Sequence, residues 1–530
     1  MYDLLIKNGL VFDGSLAEPQ NLDLAIKNKK IVALGKLKNE KAKIEINAEK
    51  RFVSPGFIDL NSDVDHDLSL LEAHEAENLI RQGITTVVGG NCGASLAPLI
   101  SGSLVSLSKW AKSLNVNVGW RTVAEFFNFL EKKSLPLNFA TLIGWGTLRN
   151  EITKDEFRSL SSEELAALKT LVNQSLKEGA FGVSFGLGYD SEQAVGISEI
   201  LEIAQLVKQL NGYLSFHLRN ESSGFLASVR EVLEVAEKGL ISLEISHFKV
   251  EGQENFPDFS KALKMIRELN EKEKNGSSDL INFDLFPYDF NIKAASLLLP
   301  DWATVEGREV FLKNIHDPVV CQKLKDDLKK KKCLTPDLVI ADSGSRWWFA
   351  GKTLGEISQN FSLPLEDAFL KLLELCENKV LILTKSLSQE NIDQAFLSSY
   401  SFVGSDSGIY NLDSAKKGIW VHPRSFGTFP RFLSEYVKEK KLLSWPLALN
   451  KITGKAAEKI GFKNRGYLRE NYFADVVIFN PEKLKDTATL ENPFQYPEGI
   501  ETVIVNGGIA YQKGLFSRDQ YGQIIRKNQN

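Results

Sequence analysis

Four side chains able to do chemistry stand at the ends of apolar runs. Cys92 follows ITTVVGGN, His217 ends YLSFH, His247 ends LEISH and Asp406 ends SFVGSD. The chain has only six histidines, and these two lie 30 residues apart, the length of one strand–helix unit. A thiolate with two imidazoles is a ligand set for a catalytic zinc that keeps one position open. Such an ion polarises an amide or ester carbonyl and lowers the pKa of bound water. A carboxylate within reach of that water, here Asp406, would take its proton and return it to the leaving nitrogen. Each residue also has an ordinary use. A strand-end histidine is often a hydrogen-bonded structural group, a lone cysteine a small core residue, and the Asp of GSDSG a helix cap. It is their joint placement on separate strand ends that favours a metal.

The elements that must position them follow from hydropathy. Strands are expected at 56–60, 84–89, 138–144, 182–186, 213–218, 243–248, 281–286 and 401–406. Most are followed by helical patterns such as GISEILEIAQLVKQL and SSGFLASVREVLEVAEKG. Eight such runs with helical crossovers indicate an α/β fold, a TIM-like (β/α)8 barrel, whose functional side chains cluster at the C-terminal ends of the strands. Both termini read as short strands. LLIKNGLVF carries an NG turn between apolar runs, and ETVIVNGGIAYQKG repeats the pattern. The expected division is 1–54 and 456–530 as two parts of one small β-sandwich domain. The catalytic barrel spans 55–455, with an insertion at about 301–379 placed to form a lid. KDDLKKKKC reads as a solvated helix face, and the terminal NQN as a frayed tail.

Composition bounds the class. At 530 residues, 43% hydrophobic and 25% charged, the chain is an ordinary globular protein with a substantial core. A net charge of −4 offers no basic face, so no nucleic-acid partner is expected. No apolar run approaches membrane-spanning length and the N-terminus lacks a signal pattern, so no membrane partner is expected and the cytoplasm is the expected compartment. Four cysteines, at 92, 321, 333 and 376, make neither a disulfide framework nor a CxxC zinc site.

The wording of the motifs is more specific. GFIDLNSD, GITTVVGGNCGASLAPL, SFHLRNESSGF, ISHFKVEGQENFPDF, DLFPYDF, VGSDSG, HPRSFGTFPR and the FADVVIF-to-VNGG stretch resemble the D-aminoacylase (N-acyl-D-amino-acid deacylase) family of the amidohydrolase superfamily, in order, from about residue 3 to about 515. The resemblance implies hydrolysis of the N-acyl group of N-acyl-D-amino acids, small-molecule substrates, by zinc-activated water. It implies one tightly bound Zn2+ on Cys92, His217 and His247, with Asp406 as general acid and base. It also implies that Lys249, Tyr288 and Arg424 bind the substrate carboxylate.

Two departures stand out. The superfamily's first strand ends in His-x-His, the holder of a second metal that this family binds weakly. Here Asn61 and Asp63 replace both histidines, a degenerate second metal site, and His66 lies nearby at a different offset. Trp145 stands where the family usually has His, which reads as a reshaped pocket or an apolar wall. These changes leave two alternatives beside the deacylase reading. One is an amidohydrolase acting on a cyclic amide or an N-acyl peptide. The other is a barrel that has lost catalysis.

Overall fold

The computed structural model describes the chain except residues 38, 67, 73–75, 102–117, 155–157, 190, 191, 274–279, 305–307, 332, 333, 417–419 and 530, so Cys333 and the end of the Lys-rich block lie outside the described residues. Five strands open it: β1 (Tyr2–Val11), β2 (Gln20–Lys27), β3 (Lys30–Gly35), β4 (Ala42–Asn47) and β5 (Phe52–Pro55). The barrel follows with β6 (Phe57–Asp59), β7 (Ile84–Gly89), β8 (Asn138–Thr141) and β9 (Ile143–Gly144), β8 and β9 being one run interrupted at Leu142. It continues with β10 (Gly182–Gly186), β11 (Tyr213–His217), β12 (Leu243–Ile245) and β13 (Ile281–Leu285). An inserted antiparallel sheet holds β14 (Asn291–Ala294), β15 (Val339–Asp342) and β16 (Leu381–Thr384). β17 (Ser401–Val403) is the eighth barrel strand, and β18 (Val476–Phe479), β19 (Ile500–Val505), β20 (Gly508–Gln512) and β21 (Leu515–Phe516) end the chain.

All barrel pairings are parallel, in the order β6-β7-β8 and β9-β10-β11-β12-β13-β17. Runs such as ITTVVG are buried along their whole length, as strands covered on both faces must be. The ring closes between β17 and β6 through a side chain. Ser405 N donates to Asp59 Oδ1 (2.9 Å) and Asp406 N to the Asn61 carbonyl (2.8 Å). This is a TIM-like (β/α)8 barrel, and it brings the ends of strands one and eight together.

The terminal strands form one hydrogen-bonded nine-stranded sheet in the order β21-β20-β19-β18-β5-β1-β2-β3, with β4 also on β1. Alternation decides its two faces. Val477 and Phe479 join the large barrel cluster, whereas Val476 and Ile478 join a second cluster with Leu4, Ile6, Leu24 and Ile26. The NG of β1 is not the turn expected from the sequence. Asn8 (φ 62°) and Gly9 form a bulge inside one continuous strand, where β1 exchanges β4 for β5 as its partner. Asp23 holds the Asn8 N–H at 2.9 Å, and a Cβ at Gly9 would strike Val53. In β19–β20 the same dipeptide does make the hairpin, with Asn506 and Gly507 both at positive φ.

The inserted unit has its own apolar cluster, and its edge strand β14 and central strand β16 lie beyond the 301–379 span. Lys527 and Asn528 are docked, where the sequence predicts a frayed tail; Asn530 lies outside the described residues. Lys527 N donates to the Gly179 carbonyl (3.0 Å) and the Asn528 amide to Lys177 O. Carbonyls at a helix C-terminus need donors, and the tail supplies them. Among the described residues, no helix is long and apolar enough to cross a membrane.

Candidate metal centre

The loop after β7 delivers Cys92. Its glycines are forced by close approach: a Cβ on Gly90 (φ 73°) would strike the Leu142 carbonyl, and one on Gly93 (φ 75°) would strike Glu192. Asn91 fastens the loop through its amide to Leu60 O (3.2 Å) and Val88 O (2.9 Å). His217 ends β11, and His247 follows β12. Cys92 Sγ, His217 and His247 bring one ligand atom each to within 4.8 Å of one another. Sγ stands 3.4 Å from His247 Nε2, which stands 2.9 Å from His217 Nδ1. Among the described residues this is the one group of three or more His, Cys, Asp or Glu with metal-holding geometry.

The backbone marks the same residues. Cys92 (φ 51°), His247 (φ 37°) and Asp406 (φ 49°) all adopt the left-handed region, costly for non-glycine residues and held only where the surroundings enforce it. At His247 the enforcement is visible. Its N–H donates to Asp284 Oδ1 (3.0 Å) and the next N–H to the Asp284 carbonyl (2.7 Å). At Asp406 it comes from strand one: Asp63 N donates to Ser407 O (2.9 Å) and Ser62 Oγ to the same oxygen (2.9 Å).

Three electron-pair donors facing one another repel unless a cation lies between them, and sulfur with imidazole nitrogen suits zinc. The residues therefore fit a zinc ion. Burial, then the charges of Asp406 and Asp63, push the Cys92 thiol well above its ordinary value, so it needs a cation to become a thiolate. Burial and His247 hold His217 down to about 3, which keeps its lone pair free. Glu221 Oε1 lies 3.0 Å from His247 Nδ1 and binds Lys249 Nζ at 2.8 Å. Nε2 faces Cys92 and His217, and Nδ1 is turned to Glu221 and to Lys249 Nζ at 2.9 Å. Burial opposes the charge of Glu221, but Lys249, His247 and His217 outweigh it and hold the carboxyl below the usual range.

Asp406 is largely enclosed, which opposes its charge, yet Arg424 above all, then His247, Lys249 and His217, hold it down to about 2. Arg424 grips it twice, Nη2 to Oδ2 (2.8 Å) and Nε to the backbone carbonyl (2.8 Å), and lies over the Phe286 ring at 4.6 Å. Arg424 is itself placed by His422, whose Nδ1 accepts its N–H at 2.9 Å.

No family model matches the chain. Over 530 residues it is 27% identical to a D-aminoacylase of Alcaligenes xylosoxydans xylosoxydans, covering 99% of this chain and 98% of that one. The chain is a full-length relative of the D-aminoacylases. Its fold superposes with a TM-score of 0.82, at 25% identity and 99% coverage of both chains, on the N-acyl-D-glutamate deacylase of Bordetella bronchiseptica complexed with zinc and a phosphonate mimic of the tetrahedral intermediate. A solved D-aminoacylase with a binuclear metal centre, for which one-metal activation and second-metal attenuation are described, superposes at 0.81, again at 25% identity, over 99% of this chain and all of that one.

In this D-aminoacylase relative the sequence-predicted residues fall into two groups. Cys92, His217, His247, Lys249, Asp406 and Arg424 converge. Tyr288 stands behind them: its hydroxyl is buried and donates to Asp486 Oδ2 (2.8 Å), and its ring meets His422 edge-on at 5.3 Å. Trp145 offers no wall to a pocket. It is fully buried, donates Nε1 to Glu199 (2.8 Å) and tilts against Phe185. Asn61 and Asp63 sit at the end of strand one, each with a buried Oδ1 that no hydrogen bond partners. Sequence reasoning missed Glu221 and Asp284, and named His66 only as a neighbour at a different offset. The available signal was position: Glu221 lies four residues after His217, and Asp284 is the acid at the end of β13.

Burial, then Asp63, act in opposite senses on His66; Asp63, Asp65 and Asp406 prevail and raise it to about 9. Beneath the site, burial and then Glu244 push Asp284 well above the carboxylate range, while burial takes Glu244 to about 7 against the pull of Lys459.

Proposed function

We propose that the chain is a zinc-dependent amide hydrolase that removes the N-acyl group from N-acyl-D-amino acids, with one zinc held by Cys92, His217 and His247. The observation that carries this reading is the convergence of a soft ligand trio beside a largely enclosed carboxylate that stays ionised. The names of the full-length relatives support the substrate class. When bound, zinc polarises the amide carbonyl and lowers the pKa of water at the site.

The chain's own residues do the rest. Arg424 occupies Asp406 Oδ2, which leaves Oδ1 to take the proton of the attacking water. As the carbon–oxygen bond forms and the carbon–nitrogen bond breaks, Oδ1 hands that proton to the departing amine. Lys249 shares its ammonium between Glu221 and the substrate carboxylate; a charge-assisted contact of this kind is worth about 1.5–3 kcal/mol. Arg424 serves the substrate through Asp406, and Tyr288 through the His422–Arg424 contact. Reduced thiols at Cys92, Cys321 and Cys376 suit the cytoplasm.

The test is a hydrolysis assay of the zinc-loaded protein on a panel of N-acyl-D-amino acids, N-acyl-L-amino acids, cyclic amides and N-acyl peptides. The expected result is turnover of the D series, lost in Cys92→Ala, His217→Ala and Asp406→Asn. Activity on ring amides alone, or full activity in those variants, would sink the proposal.

A further inference from the structure

The connection between β18 and β19, residues 480–499, leaves the terminal sheet and reaches the helix Arg424–Phe432, whose first residue grips Asp406. Phe426 on that helix meets Phe494 edge-on at 5.6 Å, and Ala488 joins the same buried cluster. Trp420, four residues before Arg424, donates Nε1 to the Leu490 carbonyl (3.3 Å). Asp486 reaches deepest. Its side chain is 4% exposed and lies 3.7 Å from Arg431 Nη1. Oδ2 accepts the Tyr288 hydroxyl (2.8 Å) and Oδ1 the Ala488 N–H (2.9 Å). A buried carboxylate is costly unless its oxygens meet donors, and here both do. The carboxylate is seated on bare backbone, because a Cβ on Gly427 of the helix would strike Asp486 Oδ1 and the Tyr288 hydroxyl. That hydroxyl also lies 3.5 Å from the carbonyl of Pro423, the residue before Arg424. From the last turn of the helix, Arg431 lies over the Tyr288 ring at 4.6 Å and donates Nε to the Pro287 carbonyl (2.6 Å). Both ends of the helix are thus fixed to one tyrosine, and one carboxylate from the terminal sheet fixes that tyrosine.

We propose that Asp486 is a positioning residue for the hydrolysis: through Tyr288 and the backbone at Gly427 it sets the helix that begins with Arg424, and so the grip of Arg424 on Asp406. The inference rests on the zinc-hydrolase reading for its effect on rate, and on the contacts alone for its geometry. A guanidinium that swings off Oδ2 lets the Asp406 carboxylate turn, and Oδ1 then meets the attacking water at the wrong angle. A misplacement of about 1 Å can cost about 100-fold in rate.

Zinc-loaded Asp486→Ala, Asp486→Asn and Tyr288→Phe, assayed on an N-acyl-D-amino acid, together with a crystal structure of Asp486→Ala, test this. Asp486→Ala should lower kcat about 10–100-fold and leave KM and zinc content unchanged, because Lys249 and the ligand trio stand outside this contact. Asp486→Asn keeps an acceptor for the Tyr288 hydroxyl and should restore most of the rate. Tyr288→Phe keeps the ring, loses that bond and should fall between them. In the Asp486→Ala crystal, Arg424 Nη2 should have left Asp406 Oδ2. A wild-type kcat in Asp486→Ala, or an Arg424–Asp406 pair still at 2.8 Å, would overturn the inference, as would a loss in Asp486→Asn as large as in Asp486→Ala. Should Asp486→Ala not fold, Tyr288→Phe carries the test, and a wild-type kcat there would count against the proposal. A wild type that hydrolyses no member of the substrate panel would instead bring down the hydrolase reading, and the Arg424–Asp406 distance would still decide the positioning.

Discussion

Arg424 binds Asp406 through both a side-chain oxygen and the backbone carbonyl, so one guanidinium sets the charge and the orientation of the proposed base. Asp406 acts as base only when ionised, and its hold at about 2 keeps it so at every working pH. Arg424→Met removes the strongest opposing charge, and the Asp406 pKa rises. The acid limb of the kcat/KM profile should then move to higher pH, because activity falls wherever Asp406 is protonated. An unmoved limb would mean that another group is the base. Glu221 plays the corresponding part behind His247, a proposed metal ligand. Losing a carboxylate behind a ligand histidine costs about 10–100-fold in metal affinity, so Glu221→Gln should weaken zinc by that much in a competition with a chromophoric chelator.

Among the elements, helix Ser162–Glu178 shows how a barrel helix starts. Ser161 accepts from Glu164 N while Glu164 accepts from Ser161 N, a reciprocal cap, and Arg158 binds the same carboxylate. Ser161→Ala should cost about 1 kcal/mol in a denaturant melt. Arg158, then the Ser161 N–H, hold Glu164 at about 2, below its unfolded value of 4.5. Its contribution is present above pH 4.5 and is lost as the pH falls from there through 2. Glu164→Gln should flatten that part of the stability profile, and an unchanged acid slope would assign the slope to other carboxylates.

Across the whole molecule, a buried network joins the terminal sheet to the barrel. Arg465 binds Asp475, Asn506 Oδ1 (2.7 Å) and Gln523 Oε1 (3.2 Å), while Asp475 Oδ2 also accepts from Asn138 of β8 (3.2 Å). Arg465 and Asp475 are 4% and 5% exposed, so removing one partner strands a buried charge. Arg465→Met should cost about 3–5 kcal/mol and be read as a lower midpoint in denaturant. A loss under about 1 kcal/mol would show that apolar packing alone couples sheet to barrel.

Much of this was legible in the sequence. The eight barrel strands were, because a strand buried on both faces is rich in apolar and β-branched residues along its length, as ITTVVG is. Cys92, His217, His247 and Asp406 were legible as well, since each ends such a run. What one chain segment cannot encode is a partner from elsewhere in the chain. The NG at residues 8 and 9 is a bulge because Asp23, β4 and β5 surround it, while the same dipeptide at 506 and 507 turns a hairpin. Tyr288 gives its hydroxyl to Asp486, nearly two hundred residues away, and Asn61 its amide to Asp284. Local hydropathy and turn chemistry act over a few residues and determined the strands and what stands at their ends. Hydrogen bonds between distant segments are made only when the barrel closes, and they decided which of those residues meet.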